Sequence, residues 1–214
     1  MNEKLIFYNK EQTDDSKYFN FIIPTYNGGY KLEVIVNCLL AQTSQNFHIT
    51  VISDGPEPDT EKQLTKYFNI KNFTYCSTTR RYNDLGHTPR LLGLKQSKSK
   101  YSIMTGYDNY YVPIFVERFE KAVTKHDNVG LIFCDFILDH PRDGVKYNKF
   151  MDSKLEVNHI DFGCYAIDTQ IANAVGIDVN EYAADWHLIA SSLPIIKQQN
   201  KQIIKIQQTL YVHN

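Results

Sequence analysis

The chain has 214 residues, of which 43% are apolar and 22% charged, with a formal net charge of −1. The length suits one sizeable α/β domain rather than two, and the composition is that of a folded chain, not a disordered one. The balanced charge gives nucleic-acid binding no electrostatic support.

Residues 1–17 read as an irregular lead-in or a short strand. FNFIIP (19–24) is a compact apolar run ending in proline, a buried strand that Pro24 is expected to stop. Thr25-Tyr26-Asn27-Gly28-Gly29 is a turn. Leu32, Ile35, Val36, Leu39 and Leu40 then recur at helical spacing. FHITVIS (47–53) is a second strand, followed by DGPEPD and a helix over about 60–68. FTYCST (73–78) is a third strand. HTPRLLGLKQS (87–97) is helical, with Thr88 as its N-cap and Pro89 as its first helical residue. YSIMTG (101–106) is a fourth strand, VPIFVERFEKAVTKH (112–126) a helix and VGLIFCDFIL (129–138) a fifth strand. Such alternation argues for a mostly parallel sheet with helices on both faces.

Past residue 140 the alternation stops. HPRDGVKYNKFMDSKLEVNHI reads as a mobile or substrate-facing loop with room for a short strand, DFGCYAID (161–168) as a strand, 169–175 as a helix and ADWHLIASSL (184–193) as the start of another. KQIIKIQ (201–207) and TLYVHN (209–214) read as closing strands, or a strand and a tail. Cys38, Cys76, Cys134 and Cys164 lie far apart with no CxxC pair, so buried free thiols are expected in place of a zinc or redox centre. The 15 tyrosines and 12 phenylalanines are expected mainly in the core. The opening MNEKLIFYNKEQTDD lacks a signal-type apolar stretch, and no apolar run approaches the ~20 residues of a membrane span. The chain therefore reads as cytoplasmic.

Ligands of parallel sheets bind beyond the carboxyl ends of the strands. There the sequence places Pro24-Thr25-Tyr26-Asn27, Ser53-Asp54-Gly55 and Gly106-Tyr107-Asp108-Asn109. Asp54 suits a hydrogen bond to a base or ribose, and Asp108 a divalent cation, since hard cations prefer carboxylate oxygen. The plainer reading of both is a turn residue. GxGxxG, GxxxxGK[ST] and GxSxG are all absent, which disfavours a dinucleotide-binding dehydrogenase, rules out the phosphate-loop ATPases and argues against an α/β-hydrolase.

The run FIIPTYNGGYKLEVIVNCLLAQTSQNFHITVISDG resembles the opening of glycosyltransferase family 2, whose members have the GT-A fold and transfer a sugar with inversion. Its pattern of Pro-Thr-Tyr-Asn, Leu-x-x-Gln and Asp-Gly is matched by 24–27, 39–42 and 54–55. Arg90 and Gly93 match the family's Arg-containing helix without its Asn. Asp108 matches the last acid of the Asp-x-Asp metal motif, whose first acid is replaced by Gly106. Asp185-Trp186 matches the late acidic-Trp signature.

The resemblance implies a single domain over 1–214, with a nucleotide-sugar part (19–138) and an acceptor part (139–214). It implies that Pro24, Thr25, Tyr26, Asn27, Asp54, Gly55, Arg90, Gly106 and Tyr107 hold a nucleotide-sugar donor, with uracil the expected base. Asp108, helped by His213, would bind Mn2+ or Mg2+. Asp185 would be the general base. Trp186, with Gly163 and Cys164, would face the sugar or a carbohydrate-type acceptor. The plainer readings are that Asp185 caps its helix, Trp186 is core, and His187 is a surface residue. Two other activities stay open: a non-catalytic nucleotide-sugar-binding module, favoured by Gly106, and a distant third, a nucleotidyltransferase, whose basic Gly-rich first loop is not seen.

Overall fold

The computed structural model describes residues 3–11, 17–139 and 148–214. The part of the expected substrate-facing loop that falls on 140–147 lies outside the described residues. Ten strands form one sheet: β1 (Ile6–Phe7), β2 (Phe19–Thr25), β3 (Phe47–Ser53), β4 (Phe73–Ser77), β5 (Tyr101–Met104), β6 (Tyr110–Tyr111), β7 (Val129–Leu138), β8 (Lys149–Met151), β9 (Tyr165–Asp168) and β10 (Gln202–His213). Their order is β1-β4-β3-β2-β5-β9-β7-β10-β6, with β8 paired to β7. Among the described residues six α-helices cover it: α1 (Gly29–Leu40), α2 (Pro58–Leu64), α3 (His87–Gln96), α4 (Phe115–Lys125), α5 (Thr169–Val175) and α6 (Ala184–Gln198).

The block β4-β3-β2-β5 is parallel throughout. β9 lies antiparallel between β5 and β7, which brings β7 back to the common direction, and β10 runs parallel to β7. Six of the ten strands thus point one way, and every residue of β2 and β3 is buried, as expected of strands covered on both faces. The core is aromatic where α4 crosses the sheet: Phe115 and Phe119 stack at 4.1 Å, and Phe115 meets Tyr111 at 4.6 Å. Phe115, Val116, Phe119 and Val123 are the buried stripe that the helical spacing required. Cys76, Cys134 and Cys164 are buried free thiols, and Cys38 is half-buried.

Several local expectations change. Pro24 does not end β2, which continues to Thr25. Ile22 O accepts from Thr105 N on the β5 side, and Thr25 O from Asp54 N on the β3 side. By alternation the missing Pro24 N–H faces the β5 side, where pairing has ended at Ile22–Met104, so no ladder bond is lost. The helix expected over 60–68 is α2 followed by a 3-10 turn at Thr65–Tyr67. Thr88 does not cap α3: the helix starts at His87 after Gly86 (φ +78). Asp84 does the capping, its carboxylate accepting from Thr88 N at 2.9 Å. The run 161–168 opens as a 3-10 turn (Phe162–Cys164) and only then becomes β9. The two expected closing strands are one strand, β10, whose register skips between Ile206 and Thr209 as a bulge. None of the described helices is long and apolar enough to cross a membrane.

Candidate active site

From β2 the chain crosses by α1 to β3 on one side, whereas β5 pairs on the other. The crevice beyond the ends of β2 and β5 is therefore the switch point at which open α/β sheets bind ligands. A cavity of about 470 Å³ opens there. Seven of the nine residues expected to hold a nucleotide line it: Pro24, Thr25, Tyr26, Asp54, Arg90, Gly106 and Tyr107, joined by Asp108. Asn27 and Gly55 do not line it and instead shape its turns. Asn27 (φ +50) donates its amide to Glu57 Oε1 at 2.6 Å. Gly55 (φ +97) packs where a Cβ would come within 3.1 Å of Arg81 N, a conformation and a space that favour glycine.

Asp54 is buried beside the cavity. Its two oxygens accept the amides of Tyr82 and Asn83, each at 2.8 Å, so the turn reading is true in part: the carboxylate also pins the segment after β4. That segment brings Arg81, whose guanidinium lies 3.5 Å from the centre of the Tyr26 ring, a cation–π contact on the cavity wall. Arg81 and Asn83 follow β4, a strand end not inspected in the sequence. Extending the strand-end rule to it finds them.

Arg90 reaches the cavity because Gly93 lets α3 sit closely on the sheet: a Cβ there would meet Ile52 and Ile22 at 2.5 and 2.6 Å. The guanidinium donates to Leu85 O at 2.8 Å and lies 5.1 Å from the centre of the Phe162 ring. Arg90 Nε and Thr25 Oγ1 are buried without hydrogen-bond partners among the described residues. Orphaned polar atoms on a cavity wall are costly unless a ligand satisfies them.

A second, tighter cavity of about 70 Å³ contains Asp185 and His213. Asp185 is the second residue of α6, after the N-cap Ala183, so it is not the cap. Its Oδ1 accepts from Trp186 N at 2.7 Å. Burial first, and then the negative charge of Asp161, push its carboxyl up to about 6 against the opposing pull of Trp186 N–H, Arg90 and His213.

Asp161 was missed in the sequence because it opened a run read as a strand. Burial opposes its charge, but the His213 imidazole 2.9 Å away, Tyr211 Oη at 2.7 Å and Gly163 N at 2.8 Å outweigh that and hold it down at about 2. Arg90 is linked to both carboxylates: burial works against its charge, and Asp161 and Asp185 favour it. It thereby connects the two cavities electrostatically.

The structure does not bring His213 to Asp108: His213 lines the second cavity with Asp161, and Asp108 the first. Asp108 has Lys31 Nζ at 3.7 Å. At Gly106, the position of the absent first acid, a Cβ would come within 2.9 Å of Asp108 Oδ1. Among the described residues no group of three His, Cys, Asp or Glu side chains is placed to hold a metal. Asp108, the cavity carboxylate not tied to backbone amides, fits Mg2+ or Mn2+ that takes its other ligands from water and donor phosphates, and not a cation caged by protein alone.

Trp186 is half-buried and packs against the core. Gly163 and Cys164 line neither cavity. Gly163 makes room for Tyr211, whose ring atoms a Cβ would meet at 2.4 Å. The buried Cys164 Sγ contacts the Asp161 backbone, and burial pushes its thiol up, away from reactivity. His187 is exposed, as expected, with Nε2 3.4 Å from Glu181.

The family model described as Glycosyl transferase family 2 matches residues 20–167. An uncharacterized glycosyltransferase of Rickettsia prowazekii (strain Madrid E) is 26% identical over 153 residues, 71% of this chain and 46% of that protein. The chain spans less than half the length of the curated relatives it matches. Among solved structures, Staphylococcus aureus TarS 1–349 in complex with UDP-GlcNAc superposes with a TM-score of 0.73 at 16% identity, covering 91% of this chain and 58% of that one. A mannosyltransferase of Pyrobaculum calidifontis, in complex with GDP-Man and Mn2+, does so at 0.64 and 13%, covering 96% and 60%. These likenesses agree with the GT-A type of sheet expected above. With its switch-point cavity, its Pro24–Asn27 and Asp54–Gly55 turns and a family match over most of its length, the chain belongs to glycosyl transferase family 2.

Proposed function

We propose that the protein transfers a sugar, with inversion, from a nucleotide-sugar donor, expected to be a UDP-sugar, to a hydroxyl of a carbohydrate-type acceptor. The observation that carries this reading is the pairing of two neighbouring cavities. One is lined by donor-type residues with orphaned Thr25 and Arg90 atoms; the other holds a carboxyl at about 6. Residues 19–138 supply the donor side and 139–214 the acceptor side. Asp54, fixed by two backbone amides, keeps lone pairs free for the base imide, and Arg90 faces the diphosphate. Asp108 would hold Mg2+ or Mn2+, which when bound neutralises charge on the departing diphosphate. Asp185 accepts the acceptor hydroxyl's proton as that oxygen bonds to the anomeric carbon and the bond to the diphosphate breaks.

The test is incubation of purified protein with UDP-glucose, UDP-galactose and UDP-N-acetylhexosamines plus Mn2+ and a panel of mono- and oligosaccharide acceptors, with UDP release as the readout. Release that is lost in Asp185→Asn while UDP still binds supports transferase chemistry. UDP binding without release from any donor supports the binding-module reading instead, which Gly106 in place of the first acid of the metal motif favours.

A further inference from the structure

The turn between β4 and α3 is strained at one residue. Asn83 (φ +56), Leu85 (φ +59) and Gly86 (φ +78) are all left-handed there. Asn and Gly tolerate that conformation, whereas a leucine Cβ is crowded in it by the backbone carbonyl. Position 85 nonetheless holds leucine. Its side chain is 65% exposed and stands apart from those packed against the core, so burial does not repay the strain.

Contacts on both sides hold the turn in place. Asp54 accepts the amide of Asn83 at 2.8 Å, and Asp84 that of Thr88 at 2.9 Å. Gly86 passes so close to Pro24 that a Cβ would come within 2.8 Å of its ring. Leu85 O accepts from Arg90 Nη1 at 2.8 Å. A turn that had only to bring this carbonyl to Arg90 would do so with less strain from Asn or Gly at 85, as at 83 and 86. Strain of this kind, imposed by its surroundings, clusters at ligand clamps. Leu85 lines the switch-point cavity together with Asn83 and Gly86. The turn leads from Asn83, bonded to the carboxylate assigned to the base, to the carbonyl that holds Arg90, assigned to the diphosphate. The nucleoside is the part of the donor that joins those two.

We propose that Leu85 is a donor-contact residue: its side chain packs on carbon atoms of the nucleoside, and the strained backbone keeps it at the cavity wall. This rests on the donor reading above and adds an apolar contact to its polar ones.

Nuclear Overhauser spectra of methyl-labelled protein with UDP and Mg2+ test it. Cross-peaks are expected between the Leu85 δ-methyls, assigned by their loss in Leu85→Asn, and ribose or uracil protons. By calorimetry Leu85→Asn should bind UDP about fivefold more weakly, the worth of roughly 40 Å² of covered apolar surface. Leu85→Met, which keeps an apolar side chain on the same backbone, should bind as the parent does. The Tm of Leu85→Asn should rise by about 2 °C as strain is relieved. A leucine that served only the fold would give the reverse, a lower Tm with unchanged affinity. That result, or the absence of a methyl cross-peak while UDP binds, overturns this proposal and leaves the donor reading standing. Failure of the parent to bind UDP overturns the donor reading and this one with it.

Discussion

Asp161 Oδ2 and His213 Nδ1 lie 2.9 Å apart, a half-buried pair that fastens the last residue of β10 to the turn before β9. It is reinforced by Tyr211 Oη and Gly163 N on the other carboxylate oxygen. The pair stands beside Asp185 and sets the field in which that carboxyl ionises.

Asp185 has its carboxyl raised to about 6. As a base it must be ionised, so sugar transfer should rise with pH through about 6 and level off above it, measured as a pH–rate profile. The stability effect runs the other way. A carboxyl whose folded pKa exceeds its unfolded value adds stability below the unfolded pKa, and that is lost as pH rises through the folded one. Asp185→Asn, which still accepts from Trp186 N, should therefore be more stable than the parent at pH 8, by up to about 2 kcal/mol. Thermal denaturation reads this, with UDP affinity kept and transfer gone. Full transfer by that variant contradicts the base assignment.

Asp161→Asn leaves His213 without its counter-charge and frees Asp185 of a negative neighbour. Urea unfolding at pH 7 should show a loss of about 1–2 kcal/mol, the scale of a charge-assisted hydrogen bond in a half-buried pair. Any remaining transfer should have its pH midpoint moved downward, because the second largest cause of the raised Asp185 carboxyl has gone. The native pair's contribution is present above the unfolded carboxylate pKa and disappears as pH falls toward about 2. An unmoved pH midpoint in the variant contradicts the electrostatic link.

Asp108→Ala should abolish the gain in UDP affinity that Mn2+ provides, read by calorimetry with and without the metal. Gly106→Ala is the gentler probe. Its Cβ would press on Asp108 Oδ1 at 2.9 Å, the movable end of a side chain, so stability should change by less than about 0.5 kcal/mol while the Mn2+-dependent gain shrinks. Unchanged UDP affinity with Mn2+ in Asp108→Ala removes Asp108 as a metal ligand.

Gly163→Ala puts a methyl group 2.4 Å from the Tyr211 ring, which is itself fully buried. Overpacking of that kind costs about 1–3 kcal/mol, and here it also disturbs the Tyr211–Asp161 hydrogen bond. A urea midpoint equal to that of the parent contradicts the tight fit.

The parallel block and its strand-end turns were legible in the sequence because their signals are local. Apolar runs such as 19–24 and 47–53 bury both strand faces, and Asn27 and Gly55 mark chain reversals whose positive φ few residues tolerate. These, with Asp54, Arg90, Asp108 and Asp185, were enough to indicate the switch-point crevice and the family. Only the tertiary structure decided what lies across the sheet. β9 slots antiparallel between β5 and β7, and Tyr211 and His213 come to Asp161 from about fifty residues away. Trp186 packs half-buried against the core. Such placements have no local signature, since strand order and side-chain facing follow from burial and register summed over the whole sheet. The ionisation of Asp185 follows in turn from which charges that packing sets beside it.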